Sequence, residues 1–421
     1  MGVITVDYLR PEMKLAEDLR DRNGRFLLSK GTALTDKHLR ILKIWGVIEA
    51  DIEGVSKEDL ENNGAGNVDP ARMKAAEDYM CGRFIHLDLS RSPNRELFRL
   101  CTMRKAMAMR PSPAGKPSFQ ASGFSTGKHQ DKDAAPQVAV QVDAFKLVHE
   151  DISLSTLPTI IAQINETVRR PNSSSRDIAN VISKDTSLCA RLLRIVNSAF
   201  YGYPSKIDSL SRAVLIIGTK QLCTLAMGVK IISFFKNIPF ELIDMRSFLE
   251  HSLACGIVAR ILASHKNIQN MERVFVGGLL HDIGRLVLYN HVPDAAKSML
   301  TRARTGNELL HKTELMAMTC DHARVGAFLL KKWKLPVSLE NMVKYHHDPM
   351  RSKDPLEPAV IHLADIIVNS LEMGSSGERL VPPPDRMAWR YLGLSTNALP
   401  MVIHEMEGQF EEISRFLLED N

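Results

Sequence analysis

The sequence predicts a mainly α-helical chain, an all-α helical domain preceded by a small β-rich domain of strands plus one helix. Three observations carry this. From about residue 144 onward, apolar residues recur at helical spacing in segment after segment, with no strand alternation. Aromatics make up only 6% of the chain, so Leu, Ile, Val, Ala and Met form the apolar load, a composition of helices more than of sandwiches or barrels. Alternation and a hairpin signal occur only within the first 55 residues.

In chain order, Val3 to Val6 reads as a short strand and Pro11 as a turn. Asn23-Gly24 is a hairpin signal leading into Phe26-Leu27-Leu28. Thr35 precedes a helical pattern on Leu39, Ile41, Leu42 and Ile44, and residues 46–52 add a last strand. Residues 1–55 thus form the small β-rich domain. Residues 56–110 read as a polar helical connector, clearest from Asn94 to Met109 with Leu97, Leu100, Met103 and Met107 on one face. Residues 111–137 are rich in Pro, Gly, Ser, Lys and Gln, a composition that buries no core and reads as a flexible linker.

The all-α region is 138–421, with a helical extension at its end. Ile160, Ile161, Ile164 and Val168 form its first stripe. Ser175 is a candidate cap for 178–182. Further helices are expected over 187–196, 219–235, 247–265, 271–289, 308–320, 322–333, 339–346 and 359–371, with helical stretches across 387–418. Asn197, Ser198 and Tyr201 mark either a functional surface or a helix end, with Gly202 in the left-handed position.

Composition narrows the function classes. A net charge of +5 over 421 residues, without a basic stripe interleaved with aromatics, argues against a nucleic-acid partner. No stretch approaches 18 apolar residues and the start lacks a signal-like pattern, so no membrane span is expected. Six cysteines without a CxxC pair fit reduced, buried thiols in a cytoplasmic protein.

The chemistry concentrates around Gly277 to Gly284, where an apolar run ends in His281-Asp282. Neutral imidazole and carboxylate are both metal ligands. The alternative is a buried helix end with His281 satisfied by a hydrogen bond. Metal-competent residues lie on both sides: His251, His322, His346 and His347, and Asp365 within an otherwise apolar helix. A buried carboxylate there needs compensation by a metal, a basic side chain or a helix N-terminus.

The order His, His-Asp, Asp, one member per helix, resembles the HD superfamily of metal-dependent phosphohydrolases. The resemblance implies that His251, His281, Asp282 and Asp365 hold one divalent ion, with His322 and His346 or His347 adding ligands for a second. Mn, Fe or Zn suits such a set, as one or two ions. The segments 177–185, 192–202, 207–210, 213–218 and 277–284, with Glu314, Val325-Gly326-Ala327, Trp333 to Pro336 and His346-His347, resemble the HDOD family of bacterial signalling proteins over about 144–370. The N-terminal segment is similar to the small domain preceding some HD-GYP and HDOD units.

HDOD domains are regarded as regulatory outputs. The resemblance therefore implies a signal-transduction protein acting as a non-catalytic output or protein-interaction module with signalling protein partners. The alternative is a metal-dependent phosphohydrolase acting on a phosphorylated small molecule, a nucleotide or a cyclic dinucleotide, with Asp282 and Arg285 in its active centre. Arg285 stands where HD-GYP enzymes carry Lys, and Arg binds phosphate without readily releasing a proton. After His347 the chain reads Asp348-Pro349-Met350 and has no Gly-Tyr-Pro loop.

Overall fold

The computed structural model describes residues 2–6, 9–20, 26–44, 47, 49–54, 69–109, 159–170, 173–198, 200–203, 205–232, 234–235, 238–318 and 320–418. The Asn23-Gly24 turn and the 111–137 linker lie outside them.

The N-terminal part contains two short antiparallel pairs. Strand β1 (Gly2–Thr5) runs against β4 (Glu49–Ile52), with Gly2 opposite Ile52, and β2 (Leu19–Arg20) against β3 (Phe26–Leu28). Single bridges, Leu15 to Ile52 and Lys14 to Ala33, tie the pairs together. Helix α1 (Asp36–Ile44) completes a small core of its own that includes Leu15, Leu34, Leu42 and Ile52.

Everything else described is helical. Helices α2 (Pro70–Arg83) and α3 (Ser92–Ala108) are followed by α4 (Thr159–Arg169), α5 (Ser175–Ile182), α6 (Thr186–Asn197), α7 (Leu210–Ile217) and α8 (Thr219–Ile232). Next come α9 (Met245–His265), α10 (Met271–Leu280), α11 (Ile283–His291), α12 (Pro293–Gly306), α13 (Leu310–Ala317), α14 (His322–Lys332) and α15 (Val337–Tyr345). A short 3₁₀ turn at Pro349–Arg351, then α16 (Leu356–Leu371), α17 (Arg386–Leu392) and α18 (Ala398–Leu418) complete the order. One apolar core runs from Met80 on α2 to Ile413 on α18, so α2 and α3 share it with the later helices.

Local chemistry sets most boundaries. Ser174, not Ser175, caps α5: its hydroxyl accepts from Asp177 N–H while Asp177 reaches back to the Ser174 N–H, a capping box. Asp185, Asp244 and Asp321 cap α6, α9 and α14 more simply, each carboxylate accepting from one backbone N–H of the first turn. On α3 the expected face is rotated. Leu97 and Cys101 are buried, but Met107 is half exposed, because Thr102 and Ala106 turn inward instead. The loop after α6 is pinned by Asn197, whose amide donates to Ile207 O (2.7 Å) and accepts from Ile207 N (2.7 Å); Gly202 has φ +61°. This favours the helix-end reading of that segment.

The expected single helix over 271–289 is two. α10 ends at Leu280 and α11 starts at Ile283, because Asp282 adopts φ −98°, ψ 12° and breaks the backbone ladder between them. Among the described residues no single helix is long and apolar enough to cross a membrane; the bent pair α7–α8 passes that test only jointly, and much of α8 is buried.

Candidate metal centre

The break between α10 and α11 solves a geometric problem. On a continuous helix, adjacent side chains point about 100° apart. At the break, His281 and Asp282 turn toward one centre, with His281 Nε2 3.4 Å from Asp282 Oδ2. His251 comes from the second turn of α9, His322 from the start of α14, His346 and His347 from just past α15, and Asp365 from the middle of α16. α9 packs on α10 and α16, and α14 on α11 and α15, which brings all seven predicted residues to one place.

Glycines allow this closeness. A Cβ on Gly278 would stand 2.7 Å from the Cys255 carbonyl, so α10 can lie against α9 only with Gly there. A Cβ on Gly284 would stand 1.9 Å from the His322 carbonyl, so α11 meets α14 backbone to backbone.

The ligand atoms fall into two sets around Asp282. On one side, His251 Nε2 and His281 Nε2 lie 3.3 and 3.5 Å from Asp365 Oδ1, and 3.8 and 3.4 Å from Asp282 Oδ2. On the other, His322 Nε2 lies 2.8 Å from Asp282 Oδ1, 3.3 Å from His346 Nε2 and 3.1 Å from His347 Nε2. Each carboxylate oxygen of Asp282 therefore faces a different pair of imidazoles.

The cluster sits in the interior. His251, His281, His322 and His346 are fully buried, and Asp282 and Asp365 nearly so. Burial opposes the His281 charge, but Asp282 and then Asp365 outweigh it and push the imidazole up to about 10. Burial likewise opposes the His322 charge, which Glu314 and Asp282 raise to about 9. Against burial, Arg285 and then His281 hold Asp282 well below the usual carboxylate range. His346 and His347 are pushed well down, first by burial and then by the imidazoles packed around them.

Outer partners fix the rings. His281 Nδ1 meets Gly278 O at 2.7 Å, and His346 Nδ1 meets Val343 O at 2.7 Å, which leaves each Nε2 toward the centre. His322 Nδ1 donates to Glu314 Oε2 at 2.5 Å. Asn369 Nδ2 donates to Asp365 Oδ1 at 2.7 Å. Arg285 is buried, with Nη1 donating to Ser376 Oγ (2.6 Å) and standing 3.4 Å from Asp282 Oδ2. Its guanidinium is committed to this network.

Do these residues fit a metal? His281 Nε2 and Asp282 Oδ1 are buried and make no hydrogen bond. Buried imidazole and carboxylate atoms that converge without satisfying one another are what a divalent cation requires once the imidazole protons are displaced, and the N/O donor mix suits Mn, Fe or Zn. His251 with His281 and Asp365, and His322 with His346 and His347, have ligand atoms close enough for one ion each.

Three residues near the centre carry no clear sequence signal. Cys255, one turn after His251, lies with its Sγ 3.6 Å from His251 Nε2; the i, i+4 spacing is the one hint. His362 is buried: its Nδ1–H donates to the His346 carbonyl (2.7 Å), and its Nε2 accepts from Asp385 N–H (2.9 Å). His311, in sequence either an extra ligand or a surface residue, is partly buried and stacks on His347 with ring centres 4.2 Å apart.

The comparisons agree with this architecture. An uncharacterized protein of Treponema pallidum is 25% identical over 209 residues, 49% of this chain and 40% of its own length. The chain thus spans well under half of that relative. Two solved structures share the fold at 22% identity over 66% of this chain. One, provisionally named a phosphohydrolase, from Shewanella amazonensis, matches over its full length with a TM-score of 0.53. The other, an HDOD domain protein of unknown function from Geobacter sulfurreducens, matches over 97% of its length with a TM-score of 0.51. The HDOD domain model matches residues 154–349. That stretch, which carries every one of the seven clustered residues except Asp365, is similar to HDOD domains.

Proposed function

We propose that this chain is a signalling HDOD protein whose helical domain is built around a divalent-metal centre and acts as an output or interaction module. The observation that carries the reading is the enclosure of the candidate ligands: imidazoles and carboxylates from five places along the helical region meet in the interior, and the Arg285 guanidinium beside them is tied to Ser376 and Asp282. A divalent ion bound there supplies positive charge and Lewis acidity. The chain's own residues do the rest. Asp282 links the two histidine sets, Glu314 and the Gly278 and Val343 carbonyls orient the rings, and the α9, α10, α14, α15 and α16 backbones are held in one arrangement. Loading such a site changes how firmly these helices are held, which is what an output module transmits.

One observation favours a second reading, a metal-dependent phosphohydrolase. His347 and His311 on one edge of the set are only partly buried, so the His322 side of the centre reaches toward the surface. That partly exposed edge is where a phosphoester would approach the centre.

The test is a thermal melt of the chelator-treated full chain with Mn²⁺, Fe²⁺ or Zn²⁺, followed by an assay on phosphomonoesters, phosphodiesters and cyclic dinucleotides. An ion at 100 times its dissociation constant adds about 2.7 kcal/mol, a rise of roughly 4 °C for a helical unit of about 300 residues. A rise with no turnover supports the output reading. A rise with turnover lost in His347→Ala supports the hydrolase. No rise with any ion overturns both.

A further inference from the structure

We propose that Cys255 is a metal ligand, so that the His251 side of the centre is a His₂-Asp-Cys site selective for a thiolate-accepting ion such as zinc. The inference rests on the metal reading above and deepens it.

The geometry carries it. Ligands 2.0–2.3 Å from a tetrahedral ion stand roughly 3.3–3.8 Å from one another. His251 Nε2 to Asp365 Oδ1 is 3.3 Å, His281 Nε2 to Asp365 Oδ1 is 3.5 Å, and Cys255 Sγ to His251 Nε2 is 3.6 Å. The four ligand atoms all lie within 4.8 Å of one another, and all four residues are buried. A second, independent feature points to the same centre: His281 Nε2, on a fully buried ring, has no hydrogen-bond partner. The other five cysteines belong to no such group among the described residues.

The two halves then differ in chemistry. The Cys255 half has four protein ligands before Asp282 is counted, which is the closed set of a structural ion. The other half offers His322, His346 and His347 with one Asp282 oxygen, and no sulfur. Thiolate ligation favours zinc or iron, whereas a nitrogen and oxygen set also accepts manganese. Binding at the first half displaces the thiol proton to solvent, because thiolate is the ligating form.

The experiment loads the chelator-treated full chain with Co²⁺ and records both stoichiometry and absorption. The proposal predicts a sulfur-to-cobalt charge-transfer band in the near ultraviolet that is retained in Cys320→Ser and lost in Cys255→Ser. It further predicts that Cys255→Ser lowers zinc affinity by more than the roughly 10–100-fold that removal of an outer partner costs, with manganese affinity little changed. Cobalt bound without the band overturns the Cys255 assignment and leaves the metal reading standing. No stoichiometric cobalt overturns the metal reading, and the assignment with it. If Cys255→Ser does not fold, X-ray absorption at the zinc edge of the loaded wild type decides: one sulfur at about 2.3 Å supports the assignment, and a shell of only nitrogen and oxygen overturns it.

Discussion

Asp282 is the residue on which the centre turns, and Arg285 is what keeps it ionised in the interior. Removing one partner of a buried ion pair leaves the other uncompensated, at a cost of about 3–5 kcal/mol. Arg285→Ala should therefore lower the unfolding free energy by about that amount, read from urea denaturation of the metal-free chain. Glu314 acts differently. Its loss frees the His322 ring without removing a ligand, so Glu314→Gln should leave the fold intact and weaken metal binding 10–100-fold in chelator competition. The pH dependence has a definite sign. His281 and His322, raised to about 10 and 9, stabilise the metal-free fold through charge. That contribution is fully present below the ordinary imidazole value of 6.5 and is lost as pH rises through 9 to 10. Metal must displace those protons, so calorimetry near neutral pH should register proton release, and affinity should climb with pH across the same window. At this scale His281-Asp282 and Asp365 stand out in the sequence as polar residues in apolar runs, whereas His322, His346 and His347 lie in polar surroundings and are marked only by their imidazoles. Cys255 and His362 do not stand out, because a buried Cys and a helix-face His have ordinary local explanations until α16 is laid beside α9.

The telling element is the two-residue break between α10 and α11. The apolar pattern runs unbroken from Val274 to Tyr289, so periodicity predicts one helix there. The break is a tertiary event, set by Asp282 facing two histidine sets and by Gly284 lying against the His322 carbonyl. Placing a methyl group 1.9 Å from that carbonyl cannot be relieved by a side-chain rotation. Gly284→Ala should destabilise the domain by about 3 kcal/mol or more, and should separate His322 from Asp282. Loss of metal uptake together with a lower melting temperature is the expected reading; an unchanged melt would show that α11 and α14 do not approach so closely. Elsewhere the misses are of register. The α5 cap moved by one residue to Ser174, and the α3 face rotated away from Met107 to bury Thr102 and Ala106, since a helix with polar residues on most faces specifies its buried side weakly. The mainly helical class and the small β-rich start needed no tertiary information and are as expected.

At the scale of the molecule, α2 and α3 are fastened to the end of α16 through Glu372, a left-handed residue (φ +57°) just past the helix. Its carboxylate accepts from Arg83 (2.7 Å), Lys105 (2.7 Å) and the Tyr79 hydroxyl. Arg83 also donates to the Asn369 carbonyl, and the Asn369 side chain holds Asp365, so two hydrogen-bonded steps separate α2 from the metal centre. Burial works against the Glu372 charge, but Arg83 and Lys105 hold its pKa below the ordinary 4.5. A depressed carboxyl stabilises the fold above the unfolded value, and that stability is lost as pH falls through the folded one. Glu372→Gln should thus cost about 1–3 kcal/mol at neutral pH, with the gap from wild type closing as the solution is acidified below about 4.5. A gap that stays constant with pH would mean that the carboxylate charge is not what fastens α2 and α3. Farther out, α1 rests against α18, which joins the N-terminal module to the helical region by a packed contact.

The central claim is that the buried histidines and carboxylates form one metal centre bridged by Asp282. Elemental analysis of the untagged full chain, purified without chelator and after incubation with Mn²⁺, Fe²⁺ and Zn²⁺, tests it most directly beside Asp282→Asn. The account predicts one tightly held ion for each histidine set in the wild type and, in the variant, loss of the ion beside His322 with weakened binding of the one beside His251, since each oxygen of Asp282 faces one set. A wild type that holds no ion under any of these conditions, or a variant that retains both, would contradict it.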